Sequence, residues 1–187
     1  MKILILYGTT EGQTRKIAGF TAARFRDAGD SVTLIDATQD TTAVNLRDYD
    51  ATIIAGSLHV GRYQSSVVHF ARANHATLNA MPSAFISVSL AAAGTDPEDV
   101  QGIATCADHF KSETSWTTAD IQHVAGAFRF AEYDYFKRLA MRLIAWRKGV
   151  HVEAGKDLEL TDWEALAASV DSLRDRFAHS AERGHRS

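Results

Sequence analysis

Residues 2–14, KILILYGTTEGQT, decide the fold. KILILY, residues 2–7, is an apolar run after Lys2, and such a run is typical of a strand buried on both faces of a parallel sheet. The following residues, GTTEGQT, are types common in turns and at helix starts. Apolar residues then recur at helical spacing from Gln13 to Ala28, and Gly29 follows, as expected at a helix C-terminus. The stretch predicts a strand, a loop and a helix.

Four further strands are predicted by apolar runs at residues 31–35, 51–55, 84–89 and 123–128. Helical patterns cover about 64–78 and begin again near 95 and 161, the last continuing to about Phe177. Thr95-Asp96-Pro97-Glu98 and Thr161-Asp162-Trp163-Glu164 fit the capping box and predict the two later helix starts. Strands alternating with helices predict an α/β fold with a mostly parallel sheet covered on both faces.

The length of 187 residues suits one domain with a full hydrophobic core. We expect a single domain over residues 1–178, an insert at about 129–160 after the fifth strand, and a frayed tail over 179–187. The formal net charge of −3 argues against nucleic-acid binding. Cys106 is the only cysteine, which excludes an internal disulfide, fits a reducing cytosol and is expected to be buried in a helix.

The sequence predicts a cytoplasmic protein. No signal peptide is recognisable, because Met1-Lys2 runs straight into a short apolar strand with no cleavage pattern. No apolar run approaches the ~20 residues that a membrane-spanning helix needs. We predict no metal site.

The loop after the first strand places threonine hydroxyls at a helix N-terminus. Free N–H groups point outward there, and the helix dipole favours an anion, so a phosphate can bind without lysine or arginine. The loop lacks both the Gly-Lys-Ser/Thr ending of a Walker A motif and the Gly-x-Gly-x-x-Gly pattern. From the loop alone, a plain capped helix start remains the alternative.

The order strand-Tyr7-x-Thr9-x-x-Gly12-x-Thr14 resembles the phosphate signature of flavodoxins, which bind flavin mononucleotide (FMN). The resemblance implies a flavodoxin-like three-layer sandwich whose five-stranded parallel sheet has the order 2-1-3-4-5. FMN is then expected at the switch between strands 1 and 3. The residues implied to wrap its phosphate, largely through backbone N–H groups, are Thr9, Thr10, Glu11, Gly12, Gln13 and Thr14.

Two more loops lie where that fold holds the flavin ring, at residues 56–63 and 89–94. Their backbone N–H groups are expected to contact flavin N1, O2 and N5 and so tune its potential. Tyr63 either stacks on the ring or packs at a helix start, and His59 either meets the flavin or substrate or is solvated. The residues expected near the ring are Ser57, Leu58, His59, Gly61, Tyr63, Ser89, Leu90, Ala91 and Gly94.

Almost the whole chain is similar to the menaquinone-dependent protoporphyrinogen IX dehydrogenase family. The matching stretches are Tyr7 to Thr14, Gly61-x-Tyr63, MPSAF at 81–85, SVxL at 87–90, AGAxRF at 125–130, Tyr133 to Arg138 and TDW at 161–163. MPSAF and TDW are absent from the general flavodoxin pattern and therefore add specificity. RKGVHVE at 147–153 departs from the Gly- and Thr-rich turn usual in that family.

This resemblance implies an FMN-dependent oxidoreductase that oxidises protoporphyrinogen IX to protoporphyrin IX in haem biosynthesis. Electrons would pass through FMN to a quinone, either menaquinone or ubiquinone. No residue can be recognised from the sequence as a catalytic base. The flavin is therefore expected to carry the redox chemistry, while the protein positions the flavin and substrate and sets their electrostatic environment.

Residues 134–148, DYFKRLAMRLIAWRK, predict an amphipathic helix with a basic face opposite an apolar one. Three uses remain open: contact with the inner face of the plasma membrane, packing on the sheet with a solvated basic face, or binding of porphyrin propionates. The candidates for substrate or membrane contact are Arg129, Lys137, Arg138, Arg142 and Trp146.

Two functions rival the enzyme. One is an electron-transfer flavodoxin that serves a protein partner, and the other is a domain that only senses redox state or binds a partner. Electron carriers usually present an acidic face to their partners, whereas the segment after strand 5 is basic and apolar. This contrast favours the enzyme.

Overall fold

The computed structural model describes residues 1–94, 96–128 and 158–184. Within them, five parallel strands form the central sheet: β1 (Lys2–Gly8), β2 (Ser31–Asp36), β3 (Ala51–Ser57), β4 (Ser83–Ser89) and β5 (Asp120–Ala125). Their order is β2-β1-β3-β4-β5. The predicted 2-1-3-4-5 topology is confirmed.

Helices cover both faces of this sheet, which confirms the three-layer sandwich. α1 (Gln13–Asp27) and the last helix, α5 (Trp163–Gly184), pack on one face. α2 (Ser65–Ala73), α3 (His75–Ala80) and α4 (Pro97–Thr114) pack on the other. The core therefore has two halves, one on each side of the sheet.

The side chains of β1 contribute to both halves of the core, which explains why residues 3–7 are all apolar. Successive side chains of a strand point to opposite faces. Ile3 and Ile5 belong to the core half under α1 and α5, whereas Leu4 and Leu6 belong to the half under α2 and α4. All four are fully buried, so a polar residue on either face of β1 would be enclosed in apolar surroundings.

Several predicted boundaries are wrong. Two helices, α2 and α3, replace the single helix expected at 64–78, and they meet at Asn74, whose side-chain amide donates to the Phe70 carbonyl at 2.9 Å. The fifth strand begins at Asp120 and ends at Ala125 instead of spanning 123–128. Cys106 is half-buried and not fully buried.

The two later helices begin close to where the sequence predicts them, but the capping residue is in each case the aspartate and not the threonine. Asp96 Oδ1 accepts from Glu98 N at 2.9 Å, and Asp162 Oδ1 accepts from Ala165 N at 2.9 Å. The last helix passes the expected end at Phe177 and reaches Gly184. Residues 179–184 of the expected tail are therefore helical.

A small antiparallel ribbon follows the main sheet. β6 (Ala127–Phe128) pairs with β7 (Leu158–Glu159), so the segments directly before and after residues 129–157 lie side by side. The predicted basic helix at 134–148 lies outside the described residues, as do Arg129, Lys137, Arg138, Arg142 and Trp146. Among the helices of the described ranges, none is long and apolar enough to cross a membrane.

Candidate functional site

The N-terminus of α1 has the features of an anion site. Gly12 precedes the helix with φ +90°, and no described side chain caps the first turn. The first helical hydrogen bond runs from Lys16 N to Gly12 O at 3.2 Å, so the N–H groups of residues 13–15 have no partner within the helix. The first turn reads QTRK, without an acidic residue. Within the described residues, no side chain therefore competes with an anion for these N–H groups.

Thr14 adds an unsatisfied donor to this helix start. Its residue is only 1% exposed, and its Oγ1 has no hydrogen-bond partner among the described residues. A buried hydroxyl without a partner costs about 1–3 kcal/mol of stability. A ligand with an acceptor oxygen at this position would remove that cost.

The remaining residues of the loop have other partners. Thr9 Oγ1 accepts from Gly12 N at 2.9 Å and so stabilises the turn. Thr10 Oγ1 accepts from the side chain of Gln64 at 3.0 Å. Gln13 is buried, and its Nε2 donates to Thr161 Oγ1 at 2.9 Å, so its side chain is turned away from the loop. The backbone N–H of Gln13 remains among the groups that have no partner within the helix. Glu11 is half-buried in the same turn.

The loop after β3 forms a tight turn. The backbones of His59 and Arg62 exchange hydrogen bonds of 2.8 and 3.0 Å, and the residues between them, Val60 and Gly61, have φ +49° and +76°. Val60 is 79% exposed at the tip of this turn. A β-branched residue with positive φ is strained, so the turn is held by its surroundings and not by local preference.

Three N–H groups of this loop are already engaged within the protein. Ser57 N donates to Gln64 Oε1 at 3.1 Å, Leu58 N to Val88 O at 2.7 Å, and His59 N to Arg62 O at 2.8 Å. The expectation that these N–H groups contact the flavin stays a prediction, and it requires that they exchange these partners when the cofactor binds. The Ser57 hydroxyl, which accepts from Gln64 Nε2, keeps its own proton for donation, and the turn at residues 60–61 is exposed.

Tyr63 packs inside the protein. It is 9% exposed, and its hydroxyl shares a hydrogen bond of 2.8 Å with Ser87 Oγ. Its ring meets those of Phe85 and Phe110 edge to face, with centroids 4.9 and 5.1 Å away. Burial raises the pKa of Tyr63 to about 12. The stacking alternative is therefore wrong, and the packing alternative is right.

The loop after β4 lies beside the other two. Ser89 Oγ accepts from Ala92 N at 3.2 Å, and a short 3₁₀ turn at Ala91–Ala93 follows. Leu90, Ala91 and Gly94 are half-buried. Because β1, β3 and β4 are neighbours and parallel, their carboxyl ends bring the loops at 9–14, 57–63 and 89–94 to one edge of the sheet. This edge is where open α/β sheets bind ligands.

Sequence reasoning missed two residues that hold these loops. Gln64 joins the loop after β1 to the loop after β3. Thr161 joins α1 to the end of β5, because its Oγ1 accepts from Gln13 and donates to the Ala125 carbonyl at 2.7 Å. Thr161 belongs to the TDW stretch, so that stretch was the available signal. Gln64 directly follows Gly61-x-Tyr63, but its residue type alone predicts no such role.

Residues 4–154 match the family model described as Flavodoxin domain. The chain belongs to the flavodoxin domain family. This flavodoxin domain is 31% identical over 167 residues to protoporphyrinogen IX dehydrogenase (quinone) of Escherichia coli strain K12, covering 89% of this chain and 91% of the relative. It is 28% identical over 165 residues to the enzyme of that name from Leishmania major, covering 88% of this chain and 71% of the relative. The resemblance to the protoporphyrinogen dehydrogenase family is thereby confirmed.

A solved structure shares the fold of this flavodoxin domain. Rubredoxin oxygen:oxidoreductase from Desulfovibrio gigas aligns with a TM-score of 0.54 and 16% identity, over 95% of this chain and 36% of that one. At this identity the likeness concerns the fold alone.

The phosphate loop of this flavodoxin domain fits FMN. Its uncapped N–H groups, the unpartnered Thr14 hydroxyl and the absence of acidic residues in the first turn suit a dianionic phosphate. An ideal Cβ at Gly12 would have no described atom within 4 Å, so the space beside this residue is open. The loop also lacks a dinucleotide fingerprint.

Proposed function

We propose that this chain binds FMN and oxidises protoporphyrinogen IX to protoporphyrin IX, with a quinone as the electron acceptor, in haem biosynthesis. One observation carries the proposal: the unpartnered, buried Thr14 hydroxyl lies at an uncapped helix start, in a chain 31% identical over 89% of its length to a protoporphyrinogen IX dehydrogenase. The conversion removes six hydrogen atoms from the porphyrinogen, so three quinone molecules accept them in successive two-electron steps and leave as three quinols.

In this proposal the protein binds and orients the cofactor. The N–H groups of residues 13–15 and the hydroxyls of Thr10 and Thr14 hold the phosphate. The loops at 57–63 and 89–94 hold the flavin ring. FMN supplies the acceptor for the electrons of the substrate. The turn at Val60 and Gly61 is exposed and so leaves this part of the loop open to an incoming substrate.

The first experiment identifies the cofactor and the reaction. Mass spectrometry of the ligand released from the purified protein is expected to find FMN and not FAD. The FMN-loaded protein is expected to consume protoporphyrinogen IX without oxygen when menaquinone or ubiquinone is present, and not when the quinone is omitted. FMN binding without porphyrinogen turnover would favour an electron carrier. Absence of FMN binding at saturating concentration would contradict the whole proposal.

We further propose that the chain is cytoplasmic and that its basic segment at 134–148 brings it to the inner face of the plasma membrane. The support comes from the sequence of this segment, which combines Leu143 and Trp146 with Lys137, Arg138 and Arg142. Quinones partition into lipid, so an enzyme that reduces them gains from lying on the bilayer. Each basic residue near an anionic surface contributes ~1 kcal/mol of attraction.

Changing Lys137, Arg138 and Arg142 together to Gln tests this membrane contact. We expect weaker co-sedimentation with anionic vesicles and slower turnover with a long-tailed quinone, while FMN affinity stays the same because the FMN loops lie elsewhere in the chain. A matched control changes Lys2, Arg47 and Lys111 to Gln and is expected to keep vesicle binding. If the unchanged protein does not bind anionic vesicles, the membrane proposal is wrong.

A further inference from the structure

The side chain of Gln64 connects two of the three cofactor loops. Gln64 directly precedes α2, yet its side chain makes no capping bond to that helix in the described structure. Instead, Nε2 donates to Thr10 Oγ1 at 3.0 Å and also to Ser57 Oγ, and Oε1 accepts from Ser57 N at 3.1 Å. One amide therefore ties the phosphate loop to the loop after β3.

The orientation of this amide follows from its partners. The Ser57 backbone N–H is only a donor, so the atom facing it must be the acceptor Oε1. Both protons of Nε2 are then directed at the hydroxyl oxygens of Thr10 and Ser57. A hydroxyl that accepts a hydrogen bond keeps its own proton for donation. The amide thus leaves both hydroxyls as donors, and FMN offers acceptors in its phosphate and in its ribityl and ring oxygens.

We propose that Gln64 is a positioning residue of the FMN site, whose amide sets the hydroxyls of Thr10 and Ser57 to donate to the cofactor. This inference rests on the proposed FMN binding. Gly8 belongs to the same arrangement: a Cβ there would lie 2.5 Å from Val67 Cγ2 and 3.2 Å from Gln64 Oε1. Glycine at position 8 therefore leaves the space that lets α2 and the Gln64 amide approach the end of β1.

Two variants of nearly the same size separate orientation from packing. In Gln64→Glu the carboxylate cannot donate, so the hydroxyls of Thr10 and Ser57 turn their protons to it and away from the cofactor. In Gln64→Met the hydrogen bonds of the amide to Thr10 and Ser57 are lost, but both hydroxyls can still donate to the cofactor. We expect Gln64→Glu to weaken FMN binding at least about 10-fold more than Gln64→Met does, the scale of a lost bond to a charged acceptor. The loss for riboflavin, which has no phosphate, is expected to be smaller than the loss for FMN.

A double-mutant cycle excludes simple repulsion between the introduced carboxylate and the phosphate as the cause. If Gln64→Glu acts through the Thr10 hydroxyl, it costs less affinity when Thr10→Val has already removed that hydroxyl, so the two effects are not additive. Repulsion alone predicts that the fold-changes multiply. Matched controls are Gln101→Glu and Gln101→Met on α4, where Gln101 is exposed and its side chain has no described hydrogen bond.

The outcomes separate this inference from the proposed function. If the unchanged protein fails to bind FMN, both are wrong. If it binds FMN but the Gln64 variants differ by less than about 2-fold, or the cycle is additive, the inference alone is overturned. Circular dichroism melts check that each variant folds. If Gln64→Glu does not fold, the cycle of Gln64→Met with Thr10→Val decides, because coupling supports the inference and additivity overturns it.

Discussion

Three threonines of one loop have three different roles. Thr9 accepts from a backbone N–H and shapes the turn, Thr10 accepts from Gln64, and Thr14 has no partner among the described residues. Their residue type predicts a phosphate site, because hydroxyls donate to anions. Which of the three hydroxyls lacks a partner within the protein depends on side chains from other parts of the chain. The residue types of the loop can be read from the local sequence, but which of its hydroxyls can donate to a ligand cannot.

Thr14→Val is expected to weaken FMN binding by about 1–3 kcal/mol, because the hydroxyl donates to a charged acceptor. The free energy of unfolding without FMN is expected to stay the same or rise slightly, since valine removes a buried hydroxyl that has no partner. Fluorescence titration and a thermal melt measure the two effects. Thr105→Val, on the exposed side of α4, is the control. Unchanged FMN affinity would show that Thr14 serves the helix and not the ligand.

At the scale of elements, the TDW stretch fixes the base of the β6–β7 ribbon to α1. Thr161 bonds Gln13 and the Ala125 carbonyl, and Glu159 accepts from Lys16 at 3.3 Å and from Trp163 Nε1 at 2.8 Å. The Trp163 ring packs on Phe20 with centroids 5.1 Å apart. The helix that bears the phosphate loop and the ribbon at the ends of residues 129–157 are thereby held together. Thr161 and Trp163 of the TDW stretch therefore have a structural role, which is to hold β5 and α5 against α1.

At the scale of the whole molecule, Asp30 joins three separate elements. Its side chain is 3% exposed, and it lies 2.7 Å from the Met1 ammonium before β1 and 2.6 Å from Arg174 Nε on α5. Arg174 also donates to Ala28 O at 3.1 Å, at the end of α1. Burial by itself raises the pKa of Asp30, but the hydrogen bonds from the Met1 ammonium and Arg174 outweigh it and leave the pKa below its usual value.

Asp30→Asn is expected to lower the free energy of unfolding by about 1–3 kcal/mol at pH 7, because it removes bonds to a charged acceptor. A carboxyl whose pKa is lowered by folding stabilises the protein above its unfolded pKa of about 3.9, and that contribution is lost as the pH falls through the lower, folded value. The difference between variant and parent should therefore shrink below about pH 4. Urea melts at pH 7 and pH 3 test this, with exposed Asp108→Asn as the control. A pH-independent difference would contradict it.

The sequence by itself determined the features that depend on neighbouring residues. The two-sided apolar run of β1, the order of strands and helices, and a phosphate loop with hydroxyls at a helix start follow from local pattern, and the flavodoxin resemblance added the sheet order, which the structure confirms. The first and last residues of strands and helices were less well predicted, because they depend on hydrogen bonds between segments that are remote in the chain. Gly126 N, for example, donates to Ser89 O at 3.0 Å.

Only the tertiary structure decided which polar groups pair. Tyr63 turns inward because a serine on β4 and two aromatic rings surround it, and Gln64 reaches a threonine far away in sequence. The side-chain amide of Gln13 pairs with Thr161, which lies far away in the chain. A buried polar atom takes the partner that the fold brings within hydrogen-bond distance, and that distance is set by packing between elements remote in the chain, which no local pattern encodes.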